Sequence, residues 1–385
     1  MSGRPSIVAE HVGSFVNDME AGKVFVDNFE WRRLYKQYEH ENGRQNLHLD
    51  LNHNFETFKH DPVYNGRINP LLSYIRQSAK STNLREAVQG CDFVTNRGAL
   101  KSIGVSFYSQ ERGWQIVCCK FQDIVFMCEA PTEEHQKERM NDTEADHRFT
   151  YMGHKFENYL LSDSPEVPPN TEEPVSTLAP QYGVFKSTGT ANDGSKMTFL
   201  MNAEMDGMDQ NNNFLELKTM KQPPKKASHH KNPNWFFEYR CNWWLQSYLV
   251  GIERIIVGMR NQEGIVSSVR ELNTNSVAHQ KRRWHPSVCL TTLFNCLKDV
   301  RGRLDTLPEL STIKLTFSAE NGRIDISEIE ENESAHFKFL PDDFVEYFSQ
   351  QDVSSQSTPI QNELLPIDEE VETVSSTTGI ERRRG

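Results

Sequence analysis

A mixed α/β fold, one compact domain of twisted mixed β-sheets flanked by helices, is predicted by three patterns in this chain. Residues 197–206 alternate, with Met197, Phe199, Met201, Ala203 and Met205 on one side and, apart from Leu200, polar residues on the other, as a strand requires. Phe149, Met152, Phe156 and Leu160 recur at spacings of three and four, the period of an amphipathic helix over 149–161. An aromatic segment, 235–249, brings Phe236, Tyr239, Trp243 and Gln246 onto one helical face.

The remaining elements follow in order. After an N-terminal approach, 70–80 reads as a helix and 104–129 as a meander of three strands, broken near 110–113 and at Lys120. An acidic linker follows, then the 149–161 helix and a long loop over 162–180, rich in Ser, Pro, Glu and Thr. The strand 197–206 turns back through the polar residues 207–213 into a second strand, 214–218, so a hairpin is expected. Beyond the aromatic helix, 254–260 and 265–272 pair across 261–264, and Pro286 opens a helix whose buried side carries Val288, Leu293, Leu297 and Val300. Residues 312–317 and 323–329 pair through the turn Glu320, Asn321, Gly322. The expected organisation is one catalytic domain over 1–350 and a polar, acidic, disordered tail over 351–385.

Chemistry enters at the ends of the two central strands. Glu204 and Asp206 lie two residues apart, so a strand points both to one face, roughly 7 Å apart at the backbone. Glu216 and Lys218 share a face of the returning strand, with Leu215 and Leu217 toward the core. Cross-strand neighbours stand about 5 Å apart, so three carboxylates and a lysine are expected to converge. Carboxylate oxygens suit hard divalent ions, and two ions about 4 Å apart stabilise both the attacking and the leaving oxygen of an in-line phosphoryl displacement. Lys218 adds a positive charge where negative charge builds up. Either motif alone also fits a solvated sheet face. Glu157 is a fourth acidic candidate, with Gly153 one helical turn before it leaving room for a close approach. Gln246 interrupts an aromatic stripe that otherwise reads as core, and a buried amide without partners costs about 1–3 kcal/mol, so it is assigned to the site.

Taken together, Gly153-His154-Lys155-Phe156-Glu157, Glu204-Met205-Asp206, Glu216-Leu217-Lys218 and Trp243-Trp244-Leu245-Gln246-Ser247 resemble the decapping exoribonuclease family, often called DXO-type. Gly258-Met259-Arg260-Asn261, Gly264-Ile265-Val266-Ser267-Ser268 and Trp284-His285-Pro286-Ser287-Val288-Cys289 extend the resemblance over most of the chain, from about residue 13 to 348. It implies a fold related to the PD-(D/E)XK nuclease group. It implies hydrolysis of RNA 5′ ends bearing incompletely methylated caps, triphosphates or NAD caps, followed by 5′-to-3′ exonuclease action, with two Mg²⁺ or Mn²⁺ ions. By matching motif, Glu157, Glu204, Asp206, Glu216 and the main-chain carbonyl of Leu217 would bind metal. Lys218 and Gln246 would meet the scissile phosphate or attacking water, and Asn96, Arg97 and Gly98 would meet the substrate's 5′ region. The family usually carries tryptophan where this chain has Asn96, and Gly66 and Arg67 stand near an expected acidic contact. An altered paralogue that stabilises a 5′–3′ exoribonuclease is therefore the second expectation.

Charge gives a weaker signal. The net charge of −12 is unusual for a chain that binds phosphates. It is concentrated, however, in 129–146 and 352–384, while Lys218, Lys221, Lys225, Lys226 and Lys231 with His229 and His230 follow the candidate site. These lysines suit either a solvated loop or an RNA backbone contact. The seven cysteines show no metal-ligand spacing and read as reduced core residues. No signal-like leader and no apolar run near 20 residues is seen, so no membrane association is expected, and the nucleus, the cytoplasm or both are the expected locations.

Overall fold

Two β-sheets divide the strands between them, and the chain passes from one to the other at the candidate carboxylates. The computed structural model describes residues 3–27, 29–60, 68–109, 112–222, 233–279, 284–329 and 333–350. The N-terminal part forms β1 (Ser6–Asp18), β2 (Lys23–Val26), β3 (Arg33–Leu34), β4 (Leu49–Asp50), α1 (Asn69–Ser78), α2 (Leu84–Ala87), β5 (Phe93–Asn96) and α3 (Arg97–Val105). Next come β6 (Trp114–Phe121), β7 (Ile124–Ala130), α4 (Glu133–Met140), α5 (Glu144–Leu160), β8 (Leu161–Ser162) and β9 (Gln181–Thr190). The centre holds β10 (Lys196–Glu204), β11 (Gly207–Met208), β12 (Phe214–Lys221) and α6 (Pro233–Tyr248). The chain continues through β13 (Arg254–Arg260), β14 (Ile265–Asn273), α7 (Thr274–His279), α8 (Pro286–Leu304), β15 (Thr312–Ser318), β16 (Arg323–Glu328), α9 (Ser334–Phe337) and α10 (Asp342–Ser349).

The larger sheet runs β16-β15-β6-β7-β5-β10-β9-β1-β2, the smaller β4-β14-β13-β12-β11-β3-β8. Strand β10 is central, parallel to β5 with Asn202 beside Asn96, and antiparallel to β9. Its alternation is real, but both faces are covered. Phe199 and Met201 enter a core shared with α3, α6 and α8, while Leu200 enters a second core with α1. In the smaller sheet Leu215 and Leu217 of β12 pack with Phe156 and Leu160 of α5.

Several expectations are corrected. β10 and β12 do not form a hairpin: β10 ends at Glu204, and the tight return joins β11 to β12, with Met208 opposite Phe214. The reason is that Met205 and Asp206 carry the chain between sheets, and β12 takes β13 as its parallel partner. Residues 104–109 are the end of α3 and a turn, not a first strand of three; the apolar spacing of Ala99, Leu100 and Ile103 belongs to a buried helix. The break at Lys120 falls instead at Gln122 and Asp123, whose positive φ values of 49° and 62° make a tight turn between β6 and β7. The acidic linker is mostly helical. α4 buries none of its residues and so shows no periodicity, and α5 begins five residues before Phe149, behind a capping box of Thr143 and Asp146.

The two C-terminal hairpins and the Pro286 helix are found as expected, except that Val288 is only half-buried while Leu293, Leu297 and Val300 are buried. Among the described residues no helix is long and apolar enough to cross a membrane. The lysines and histidines at 225–231, Gly66 with Arg67, and the tail from 351 lie outside the described residues.

Candidate active site between the two sheets

Glu216 is the hub of the cleft. It lies in the middle of β12, 1% exposed, and three donors face its carboxylate. Lys218 pairs with Oε1, Gln246 Nε2 donates to the same oxygen at 2.6 Å, and Arg97 Nη1 lies 3.4 Å from Oε2. Each comes from a different backbone position that the fold fixes. Lys218 shares the β12 face at spacing two, Gln246 sits two residues before the end of α6, and Arg97 opens α3 directly after the parallel strand β5. Arg97 Nη2 also donates to the Glu204 carbonyl at 3.3 Å, tying α3 to the end of β10.

Asp206 lies where the chain crosses between sheets, and its Oδ2 accepts the Leu217 N–H at 2.6 Å. Glu204 is exposed, whereas Asp206 is half-buried. Glu157 faces the cleft from α5, and His154, one turn earlier, approaches its Oε2 to 3.4 Å.

The electrostatics separate these carboxylates. Burial raises the Asp206 carboxyl well above its ordinary value, and the charges of Glu216 and Glu157 add to that. Glu204, although its surface is exposed, is flanked by enough protein to be desolvated and is raised too, with Glu157 and Glu216 pushing the same way against His154 and Arg97. Glu216 goes down instead: burial opposes its charge, but Lys218 and Arg97 outweigh it. Lys218 is raised because Glu216 and Asp206 overcome its burial. For His154, burial disfavours the charged ring, yet Glu157, Glu204 and Asp206 lift it to about 9, so it is a cation at neutral pH.

Three residues here escape the sequence reading. His154 was readable as the i,i+3 neighbour of Glu157 on the same helix. Lys101 lies one turn after Arg97 on α3, lowered by burial and by Arg97, with Glu129 pulling the other way. Glu129 stands against Gly98: a Cβ there would lie 2.9 Å from its Oε2. The side chains of Trp235, Phe236 and Tyr239 lie outside the described residues, while Trp243 packs in a small core with Ile255, Val257 and Met259. At Gly153 no protein atom comes within 4 Å of an added Cβ, so the space it leaves is open and not filled by another backbone.

Among the described residues, no three His, Cys, Asp or Glu side chains form a ready-made cation cage. The oxygens of Glu216 are engaged by protein cations, and that of Asp206 by a backbone N–H. The donor set still suits a hard divalent ion in kind. It is made of carboxylates without thiolates, and Glu204 and Asp206 are each repelled by Glu157 and Glu216, a repulsion that such an ion would relieve.

Residues 8–345 match the family described as RAI1 like PD-(D/E)XK nuclease. The decapping nuclease dom-3 of Caenorhabditis elegans is 32% identical over 320 residues, covering 79% of this chain and 76% of that protein. Among solved structures, Candida albicans Rai1 in complex with pU5-Mn²⁺ has a TM-score of 0.73 at 16% identity, covering 91% of this chain and 96% of that one. Scheffersomyces stipitis Rai1 in complex with (3′-NADP)⁺ and calcium ion also has a TM-score of 0.73, at 15% identity, covering 90% and 98%. The fold and the matched length agree with the resemblance carried by the motifs: the chain belongs to the RAI1-like PD-(D/E)XK nuclease family and is a hydrolase of RNA.

Proposed function

We propose that this chain acts at RNA 5′ ends, removing incompletely methylated caps, triphosphates and NAD caps, and then degrading the exposed strand from its 5′ end. What carries the reading is the convergence of Lys218, Gln246 and Arg97 on Glu216 beside Asp206. The proposed ion ligands are Glu157, Glu204, Asp206, Glu216 and the carbonyl of Leu217, holding two Mg²⁺ or Mn²⁺ ions. Bound there, the ions would supply Lewis-acid stabilisation of charge on the phosphate oxygens. The Mn²⁺ and calcium ions of the two fungal Rai1 complexes support a divalent-ion requirement, and their pU5 and 3′-NADP ligands support a 5′-phosphorylated RNA and a nicotinamide dinucleotide as ligand classes.

The chain's own groups have separate tasks. Lys218 would present its ammonium to the scissile phosphate. Gln246, with its amide nitrogen on Glu216, would offer its carbonyl oxygen to a proton of the attacking water. Arg97, anchored on Glu216 and on the Glu204 carbonyl, would hold the 5′ region together with Gly98 and Asn96. The test is incubation with triphosphorylated, unmethylated-capped and NAD-capped RNAs plus Mg²⁺ or Mn²⁺, with the Glu204→Ala/Asp206→Ala variant as control. Cleavage of none of them, or activity unchanged in the variant, rejects the proposal.

One feature supports a second reading. Asn96 ends β5 beside Asn202 of β10, where the resemblance expects tryptophan. A chain altered there would bind and stabilise a 5′–3′ exoribonuclease instead of cleaving RNA. Tight capture of an exoribonuclease, without divalent-ion binding, would favour that role.

A further inference from the structure

A cavity of about 280 Å³ adjoins the carboxylate cleft and shares Glu204 and His154 with it. His60, His147, Phe58 and Arg139 also line it. Arg139 is exposed, and it also lines a wider surface cleft of about 960 Å³, so the cavity has an outer mouth there. None of His60, His147 or Arg139 is used by the reading given so far.

The aromatic rings in this wall are already packed on one another. Phe58 has His60 on it at 5.0 Å and 32°, Tyr151 edge-on at 5.2 Å, and His154 at 6.5 Å and 34°. The chemistry left for a ligand is therefore polar. His60 Nε2 and His147 Nδ1 are 3.2 Å apart, so one ring donates to the other. Whichever ring accepts must, as a neutral imidazole, carry its own proton on the outer nitrogen. The pair thus always has a further N–H, and with the Arg139 guanidinium it supplies donors for an anion, set against the Asp142 and Glu204 carboxylates that share the lining. At 280 Å³ the space is just below the range of about 300–1,000 Å³ typical of drug-sized ligands, which fits a short phosphate chain better than a whole dinucleotide.

We propose that this cavity seats the terminal phosphates of a polyphosphorylated RNA 5′ end, with the His60–His147 pair and Arg139 as donors. It thereby sets the preference for polyphosphorylated over monophosphorylated ends. This rests on the hydrolase reading above and assigns the group beyond the scissile bond. A free triphosphate and the bridge of a cap share this chemistry.

The test uses the full chain and the variants Arg139→Gln, at an exposed position where folding is undisturbed, and His147→Leu. Each is assayed on RNAs of one sequence bearing a 5′ triphosphate, an unmethylated cap or a 5′ monophosphate. In parallel, metal-free protein is titrated calorimetrically with inorganic tripolyphosphate. The expected result is a fall in kcat/KM of at least about tenfold on triphosphorylated RNA, a change within about twofold on monophosphorylated RNA, and tripolyphosphate binding at least about tenfold weaker. A matching loss on capped RNA means that the cap bridge is held too; its absence limits the seat to the free triphosphate. Equal losses on all three RNAs, which would mark a nucleoside seat, or no loss of tripolyphosphate binding in either variant, would overturn the proposal. A wild-type protein that cleaves no RNA but loses tripolyphosphate binding in the variants would keep this assignment and reject the hydrolase reading.

Discussion

The Leu217 N–H of β12 donates to Asp206 Oδ2 at 2.6 Å, and this bond fastens the crossing between the two sheets to the strand that carries Glu216 and Lys218. Asp206 is held there against its own electrostatics, since burial and Glu216 both disfavour its charge. Asp206→Asn keeps an oxygen for the Leu217 bond and removes the repulsion. Metal-free protein carrying it is expected to melt on the order of 2 °C higher, while Mn²⁺-dependent cleavage falls about 100-fold or more. Thermal melts with and without Mn²⁺, beside single-turnover cleavage, check both parts. An unchanged rate would remove Asp206 from the ion ligands.

Glu216→Gln is expected to do the opposite to stability. Unlike Glu204 and Asp206, Glu216 is held below its ordinary range by neighbouring charges, and neutralising it takes from Lys218 and Arg97 the carboxylate that both of them meet. Breaking a buried pair from one side costs about 3–5 kcal/mol, so the urea midpoint should fall clearly. A midpoint at or above wild type would mean that the cleft is wet enough to solvate both cations.

The contrast between these two carboxylates marks what the amino-acid pattern could and could not tell. Period-two alternation located β10 and β12, although both faces of β10 are covered, and three-four periodicity located α5 and α6. Alternation does not name a strand's neighbour, so the passage into a second sheet at Met205 and Asp206 was invisible. β5 was missed because four residues, mostly buried, leave no pattern, and α4 because a helix with no buried face has no apolar period. The acidic candidates were legible as residue types at short spacings. Their unequal protonation, and the recruitment of His154 and Lys101, depend on which distant elements pack together.

Gly258 of β13 lies against the Phe156 ring of α5, where an added Cβ would approach Cε2 to 2.6 Å. Glu157 is the next residue on that helix, so Gly258→Ala is expected to lift the helix and displace this carboxylate. The overpacking costs about 1–3 kcal/mol by urea unfolding, and cleavage should fall even where the protein stays folded. Combining it with Phe156→Leu should recover most of both losses. Failure of that rescue would place the strain elsewhere.

Away from the cleft, Arg254 holds three acids at once: Glu39 at 2.9 Å, Asp209 at 3.0 Å and Glu271 at 3.0 Å, with Arg44 on Glu271 at 2.7 Å. Burial works against the charges of Asp209 and Glu271, but hydrogen bonds from Asn213 and Arg254 for the first, and from Arg254 and Arg44 for the second, bring both below their ordinary values. A carboxylate depressed in the fold binds fewer protons folded than unfolded, so stability rises with pH across the interval between its two pKa values. Their contribution is complete above the unfolded values of about 3.9 and 4.3, and it is lost as pH falls through the depressed folded ones. Arg254→Met weakens the depression and takes the cation from Asp209, which is 2% exposed and keeps only its bonds from Asn211 and Asn213, at a cost of up to about 3–5 kcal/mol at neutral pH. The acid-unfolding midpoint, followed by circular dichroism, should move to higher pH in the variant, and the gap in stability between variant and wild type should narrow below pH of about 4. A gap that stays constant down to acid unfolding would mean that Arg254 contributes through packing of its stem and not through these charges.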